Sequence, residues 1–243
     1  MSRTLVVEHI DKYYGDHHAV DDLSFEIEQG EIFAILGPNG AGKTTTIRII
    51  LDIIKPDKGR VLLFGEPFTE ATKERIGYLP EERGLYKNAP LIPLLRYLGQ
   101  LKGLSAKQAE QQAYYWLERV GLAEHAKSKV SALSRGMAQK VQFVATILHR
   151  PEFIIIDEPF SGLDPVNTQL IKDILFELRQ NGTTIMMSTH QMHQVETMAD
   201  RMLMISRGQR MLYGNVDDVR RQYAKNAVIV EGTGDWEKLQ GVA

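Results

Sequence analysis

Short apolar runs set between turns, with helical spacings interleaved, organise this chain. Residues 31–36, Glu-Ile-Phe-Ala-Ile-Leu, predict a short buried strand, and Phe153-Ile154-Ile155-Ile156 runs unbroken into Asp157 and Glu158. Apolar runs without alternation suit central parallel strands covered on both faces. Weaker alternation predicts strands over residues 4–10 and 22–27, with a turn through Lys12-Tyr13-Tyr14-Gly15 between them. Further strands are expected at 60–64, at 75–81 with Pro80 as its stop, at 183–188, and at 201–205 and 209–213, which form a hairpin around Ser206-Arg207-Gly208. Leu91, Leu94, Leu95, Leu98, Leu101 and Leu104 fall at helical spacing. A polar helix is expected over 106–120 after Ser105, with Gly121 as its C-cap. Tyr114, Tyr115 and Trp116 on that helix read as packing residues. Other helices are expected from about 133 to 149, at 166–180, at 191–200 and at 216–223, followed by a strand at 227–231.

Strands alternating with helices give an α/β fold with a parallel sheet, whose ligands bind at the carboxyl ends of the strands. Residues 1–214 read as one domain holding a helical insert at about 86–135. Residues 215–243 read as an extension, the start of an accessory domain.

Charge narrows the function classes. Lys and Arg total 29 against 31 Asp and Glu, a net charge of −2, so the basic stripe typical of a nucleic-acid binder is not expected. The chain has no cysteine, which excludes disulfides and thiolate chemistry. No apolar run approaches the ~18 residues that span a bilayer, and Met1-Ser2-Arg3-Thr4 is not followed by the apolar region of a signal peptide. A cytoplasmic protein is expected, reaching a membrane only through a partner.

The chemistry begins at Gly37-Pro38-Asn39-Gly40-Ala41-Gly42-Lys43-Thr44-Thr45, a G-x-x-x-x-G-K-[ST] phosphate loop between a strand and a helix. Its glycines let successive N–H groups curl around an oxyanion, and the helix start points its positive end to the same place. Lys43 can reach β and γ phosphates, and the Thr44 hydroxyl can ligate Mg²⁺. A nucleoside triphosphate with Mg²⁺ is the expected ligand. Asp157 at a strand end beside this loop suits Mg²⁺, and Glu158 suits polarisation of an attacking water. His190 ends another strand on the same rim. Tyr14 offers a flat ring for an adenine, and His17 and His18 read as surface loop residues. No N-K-x-D guanine-reading motif is present, which disfavours GTP.

The order Tyr14, Gly37 to Thr45, Leu133-Ser134-Arg135-Gly136-Met137, Ile156-Asp157-Glu158-Pro159, Ser161-Gly162-Leu163-Asp164 and His190 resembles the ATP-binding cassette family over nearly the whole chain to about residue 214. The resemblance implies a P-loop NTPase core with an N-terminal antiparallel β subdomain and an α-helical insert. It implies ATP and Mg²⁺ as ligands and two nucleotide-binding subunits, alike or different, paired head to tail. Ser134 and Gly136 would then cap the γ-phosphate held by the other copy, Asp164 would link the two sites, and His190 would contact the γ-phosphate. Closure and reopening would drive a transmembrane permease, which would hold this chain on the inner face of the cell membrane, and no nucleic acid is implied.

Two departures stand out. Arg135 and Met137 replace the usual third and fifth residues of L-S-G-G-Q, while Ser134 and Gly136 are kept. Glu81 stands where a Gln usually meets Mg²⁺, and it remains a candidate metal ligand. The run from Ile76 to Tyr86 also resembles a subgroup of bacterial exporter ATPases, including sodium-efflux types. The alternative is a cassette ATPase acting on a macromolecular complex. The single cassette and near-neutral charge favour the exporter subunit. A non-hydrolysing regulatory module is disfavoured by Glu158 and His190.

Overall fold

The computed structural model describes residues 2–82 and 84–223. β1 (Arg3–Tyr14) and β2 (His17–Glu28) form an antiparallel hairpin. Its turn lies at Gly15, whose φ of +57° suits a residue without Cβ. Lys12, Tyr13 and Tyr14, expected as a turn, are therefore strand residues, and both strands run past the limits that alternation marked. β3 (Ile32–Leu36) follows and leads through the glycine loop into α1 (Lys43–Ile50). β4 (Lys58–Leu63) returns to pair with β1, completing a three-stranded antiparallel sheet.

The chain then runs through α2 (Glu70–Arg75) into β5 (Ile76–Leu79). The sequence pattern gave no sign of α2. Its six residues lack an apolar stripe, and its start is fixed by a capping box between Thr69 and Thr72. α3 (Leu91–Gln100) and α4 (Ala106–Arg119) pack on each other. The leucine spacing overruns α3. Gly103, at φ +84°, ends it, and Leu101 is exposed. Of the three neighbouring aromatics on α4 only Trp116 is buried, while Tyr114 and Tyr115 are nearly half exposed, which corrects the reading of those two as packing residues. α5 (Arg135–Ile147) leads to β6 (Phe153–Asp157), α6 (Pro165–Gln180), β7 (Thr184–Thr189), α7 (Met192–Met198), β8 (Arg201–Ser206), β9 (Gln209–Asn215) and α8 (Val216–Tyr223). The strand expected at 227–231 lies outside the described residues.

The second sheet has the order β5-β6-β7-β3-β8-β9, parallel except for the antiparallel β9. Its central strands alternate between two cores. Ala34, Ile154, Ile156 and Met187 join the cluster under α3 to α7. Phe33, Ile35, Ile155 and Met186 join the cluster against α1 and the antiparallel sheet. Both faces are covered, which explains the unbroken apolar runs. Because β7 lies between β3 and β6, its end emerges between the glycine loop and the Asp157-Glu158 pair.

Candidate active site

The glycine loop keeps its shape through close backbone approach. Gly40 and Gly42 have φ of +77° and +106°, and a Cβ on Gly42 would sit 2.5 Å from the carbonyl oxygen of Ala19. Gly42 caps α1, so the first-turn amides of that helix have no intrahelical partners and carry its positive end. Lys43 is 7% exposed, and its Nζ donates to the carbonyls of Gly37 at 2.7 Å and Pro38 at 3.2 Å. The ammonium is thus held over the loop by neutral acceptors that a phosphate oxygen would outcompete.

A cavity of about 340 Å³ opens on this loop. Residues 39–45 line it, together with Tyr14, His17, Ala19, Glu81, Asp157 and Glu158. Tyr14 is half exposed at the end of β1, so its ring is available for stacking. Tyr13 is not, since it stacks on His18 with ring centroids 4.0 Å apart. His17, expected as a surface loop residue, is instead the first residue of β2 and lines the cavity. It reaches the cavity because hairpin register pairs it with Tyr14.

At the far wall, Thr44 Oγ1 donates to Asp157 Oδ2 at 3.0 Å. Asp157 Oδ1 accepts from Ser188 Oγ. Asp157 and Ser188 are paired in register on β6 and β7 and are almost wholly buried. Glu158 follows in the left-handed region, at φ +52°. Its N–H donates to Ser188 O at 3.2 Å and to Ser188 Oγ at 3.3 Å. His190 Nδ1 lies 2.8 Å from Glu158 Oε1. A carboxylate only accepts, so the proton of this contact sits on Nδ1. Thr189 Oγ1 donates to Gln194 Oε1 at 2.7 Å and accepts from the N–H of Gln191, which fixes the turn that carries His190. Hydroxyl and carboxylate oxygens from Thr44, Asp157 and Glu81 make a hard donor set suited to a small divalent cation.

Ser134 and Gly136 do not reach this cavity. Ser134 caps α5, its Oγ accepting from Met137 N–H at 3.3 Å, and it lines a separate hollow with Leu85, Lys87 and Arg135. A Cβ on Gly136 would meet nothing within 4 Å, so the start of α5 is open to the surroundings. Met137 packs against the helical core, and Arg135 stays exposed. Asp164 caps α6 through the N–H of Asn167 at 2.9 Å, and that bond holds its carboxyl below the usual range.

A family model described as ABC transporter matches residues 20–161. The chain is 43% identical over 224 residues to an uncharacterized ABC transporter ATP-binding protein of Methanocaldococcus jannaschii, covering 92% of this chain and 82% of that one. It is 35% identical over 217 residues to the Nod factor export ATP-binding protein I of Cupriavidus metallidurans, covering 88% and 72%. Among solved structures, one described as the ATP binding subunit of an ABC transporter superposes with a TM-score of 0.85 at 32% identity, covering 90% of this chain and 93% of that one.

Proposed function

The chain belongs to the ABC transporter family as an ATP-binding subunit, and from that premise we propose that it hydrolyses ATP with Mg²⁺ to drive a separate transmembrane permease in an exporter. ABC ATP-binding domains are ATPases, and the fold here is the ABC ATPase fold. The observation that carries the mechanism is the rim where Thr44, Asp157, Glu158 and His190 adjoin through hydrogen bonds of the loop, β6 and β7.

In this reading Lys43 leaves the Gly37 and Pro38 carbonyls for the β and γ phosphates, and the amides of residues 40–45 cradle them. Thr44, Asp157 and Glu81 would hold Mg²⁺, which would supply charge neutralisation for the phosphate oxygens when bound. Glu158 accepts the proton of the attacking water, a role worth roughly 10²- to 10⁴-fold in rate. His190 orients Glu158 and meets the γ-phosphate, and Tyr14 stacks on the base. Ser134 and Gly136 lie apart from the cavity of their own chain. That supports a head-to-tail pair, in which the open start of α5 caps the γ-phosphate bound by the other copy, with Asp164 at the junction. No described helix is long and apolar enough to cross a membrane, which fits a permease on another chain. Similarity to a Nod factor export ATP-binding protein supports the export direction.

Co-purification tests the partner. A tagged Glu158→Gln chain, drawn with ATP and Mg²⁺ from solubilised membranes of its host, is expected to bring a polytopic membrane protein in near-equal amount. Recovery of ribosomal or DNA-bound proteins with no membrane partner would overturn the transporter reading.

A further inference from the structure

We propose that Ser188 is a positioning residue for the magnesium-binding carboxylate and the base together; this rests on the ATPase site described above. Ser188 is wholly buried on β7, among Ile185, Met186 and Met187. A hydroxyl at such a position is costly unless it is paired, and an apolar residue would serve packing better. Both of its hydrogen-bonding functions are spent on the site. It donates to Asp157 Oδ1, and it accepts the Glu158 N–H at 3.3 Å.

The consequence is a carboxylate fixed at both oxygens. Thr44 holds Oδ2 from the glycine loop, and Ser188 holds Oδ1 from the neighbouring strand. Asp157 cannot turn about its last bond without losing one of them, so its remaining lone pairs keep one direction. Partners of this kind around a metal ligand are worth about 10- to 100-fold in metal affinity or activity.

The second consequence concerns Glu158. A non-glycine residue in the left-handed region is strained and persists only when its surroundings over-determine it. Here the determinants are the carbonyl and the hydroxyl of Ser188, which both receive its N–H. The same residue precedes Thr189 and His190, so the strand that presents His190 also sets the conformation of the base. Magnesium ligand, base and γ-phosphate contact are thereby tied to one buried hydroxyl.

The test titrates a fluorescent ATP analogue and Mg²⁺ on the full chain. Ser188→Ala is expected to raise the Mg²⁺ concentration for half-maximal tightening of nucleotide binding by about tenfold or more and to lower kcat by a similar factor. Its affinity for nucleotide without metal is expected to stay as in the parent. A loosened fold alone would not separate the two affinities. Ser188→Thr, which keeps the hydroxyl, is expected to restore both values. If Ser188→Ala does not fold, Ser188→Cys, of similar size with a weaker donor, is read the same way. The parent's Mg²⁺ response and kcat in the hydroxyl-free variant would overturn the assignment of Ser188 alone. A parent chain whose nucleotide binding and turnover ignore Mg²⁺ would overturn the magnesium-site reading beneath it as well.

Discussion

Glu158 Oε1 and His190 Nδ1 lie 2.8 Å apart, joining the ends of β6 and β7 across 32 positions of sequence. Glu158 is nearly buried and His190 is half exposed, so the proposed base sits inside and its proposed orienting partner at the rim. Removing the imidazole frees the carboxylate to rotate and, in the proposed mechanism, removes a γ-phosphate contact. His190→Ala is expected to bind ATP normally and to lose roughly 10²-fold or more in kcat, the scale of one lost phosphate-facing donor. Steady-state hydrolysis beside a nucleotide titration checks this, and unchanged kcat would remove His190 from the mechanism.

Lys43 bears on binding itself. A charge-assisted contact contributes about 1.5–3 kcal/mol, so Lys43→Ala is expected to weaken ATP binding about 10- to 150-fold. The loop should keep its shape, since its turns rest on glycine conformations and on backbone bonds such as Ala41 N–H to Pro38 O at 3.1 Å. Calorimetric titration measures the loss, and parental affinity would count against the phosphate-loop assignment.

Glu81 shares one cavity wall with Asp157 and Glu158. As an exposed ionic contact it is worth up to ~1 kcal/mol, so Glu81→Gln is expected to raise half-saturating Mg²⁺ by no more than about fivefold. Coupling to the proposed permease is read from transport per ATP hydrolysed, which should fall. If Mg²⁺ dependence and coupling both stay at parental values, Glu81 is a surface acid with no part in the site.

How far the sequence displays this architecture depends on what each element uses to define itself. β3, β6 and the glycine loop are legible because burial on both faces leaves unbroken apolar runs, and because tight turns demand glycine. The α5 start is legible from Ser134, a capping residue ahead of a helical stretch. α2 is not, because its boundary is a Thr69–Thr72 cap with no apolar stripe behind it. The overrun at Leu101 arises because helical spacing continues past the point where Gly103 turns the backbone. Within the site, Asp157 and Glu158 stand out as charges closing an apolar strand. His17 and Ser188 do not, since their places follow from pairing with Tyr14 and Asp157 on other strands.

His149 gives a pH test of stability. It is buried, and its Nε2 donates to the carbonyl of Ile76 at 3.1 Å, while Nδ1 has no hydrogen-bond partner among the described residues. Burial, then the nearby Lys102 ammonium, push its pKa down from 6.5 to about 4. Below pH 6.5 the unfolded chain takes up a proton that the fold refuses until about pH 4, so stability falls as pH drops through that window. The full loss is about 3 kcal/mol, and about 2 kcal/mol of it is expected by pH 5. Urea unfolding of the parent and of His149→Phe at pH 7 and pH 5 checks this. The variant should lose less stability between the two values, and equal losses would show that His149 does not set the dependence.

The central claim is that Glu158 is the base of an ATP site closed between two copies of the cassette. Its most direct measurement is the mass in solution and the turnover of Glu158→Gln with ATP and Mg²⁺. The account predicts ATP binding like the parent's, turnover lowered roughly 10²- to 10⁴-fold, and a stable ATP-dependent dimer that is lost when Ser134 or Gly136 is replaced by a bulky residue. A monomer that hydrolyses ATP at the parental rate would contradict it.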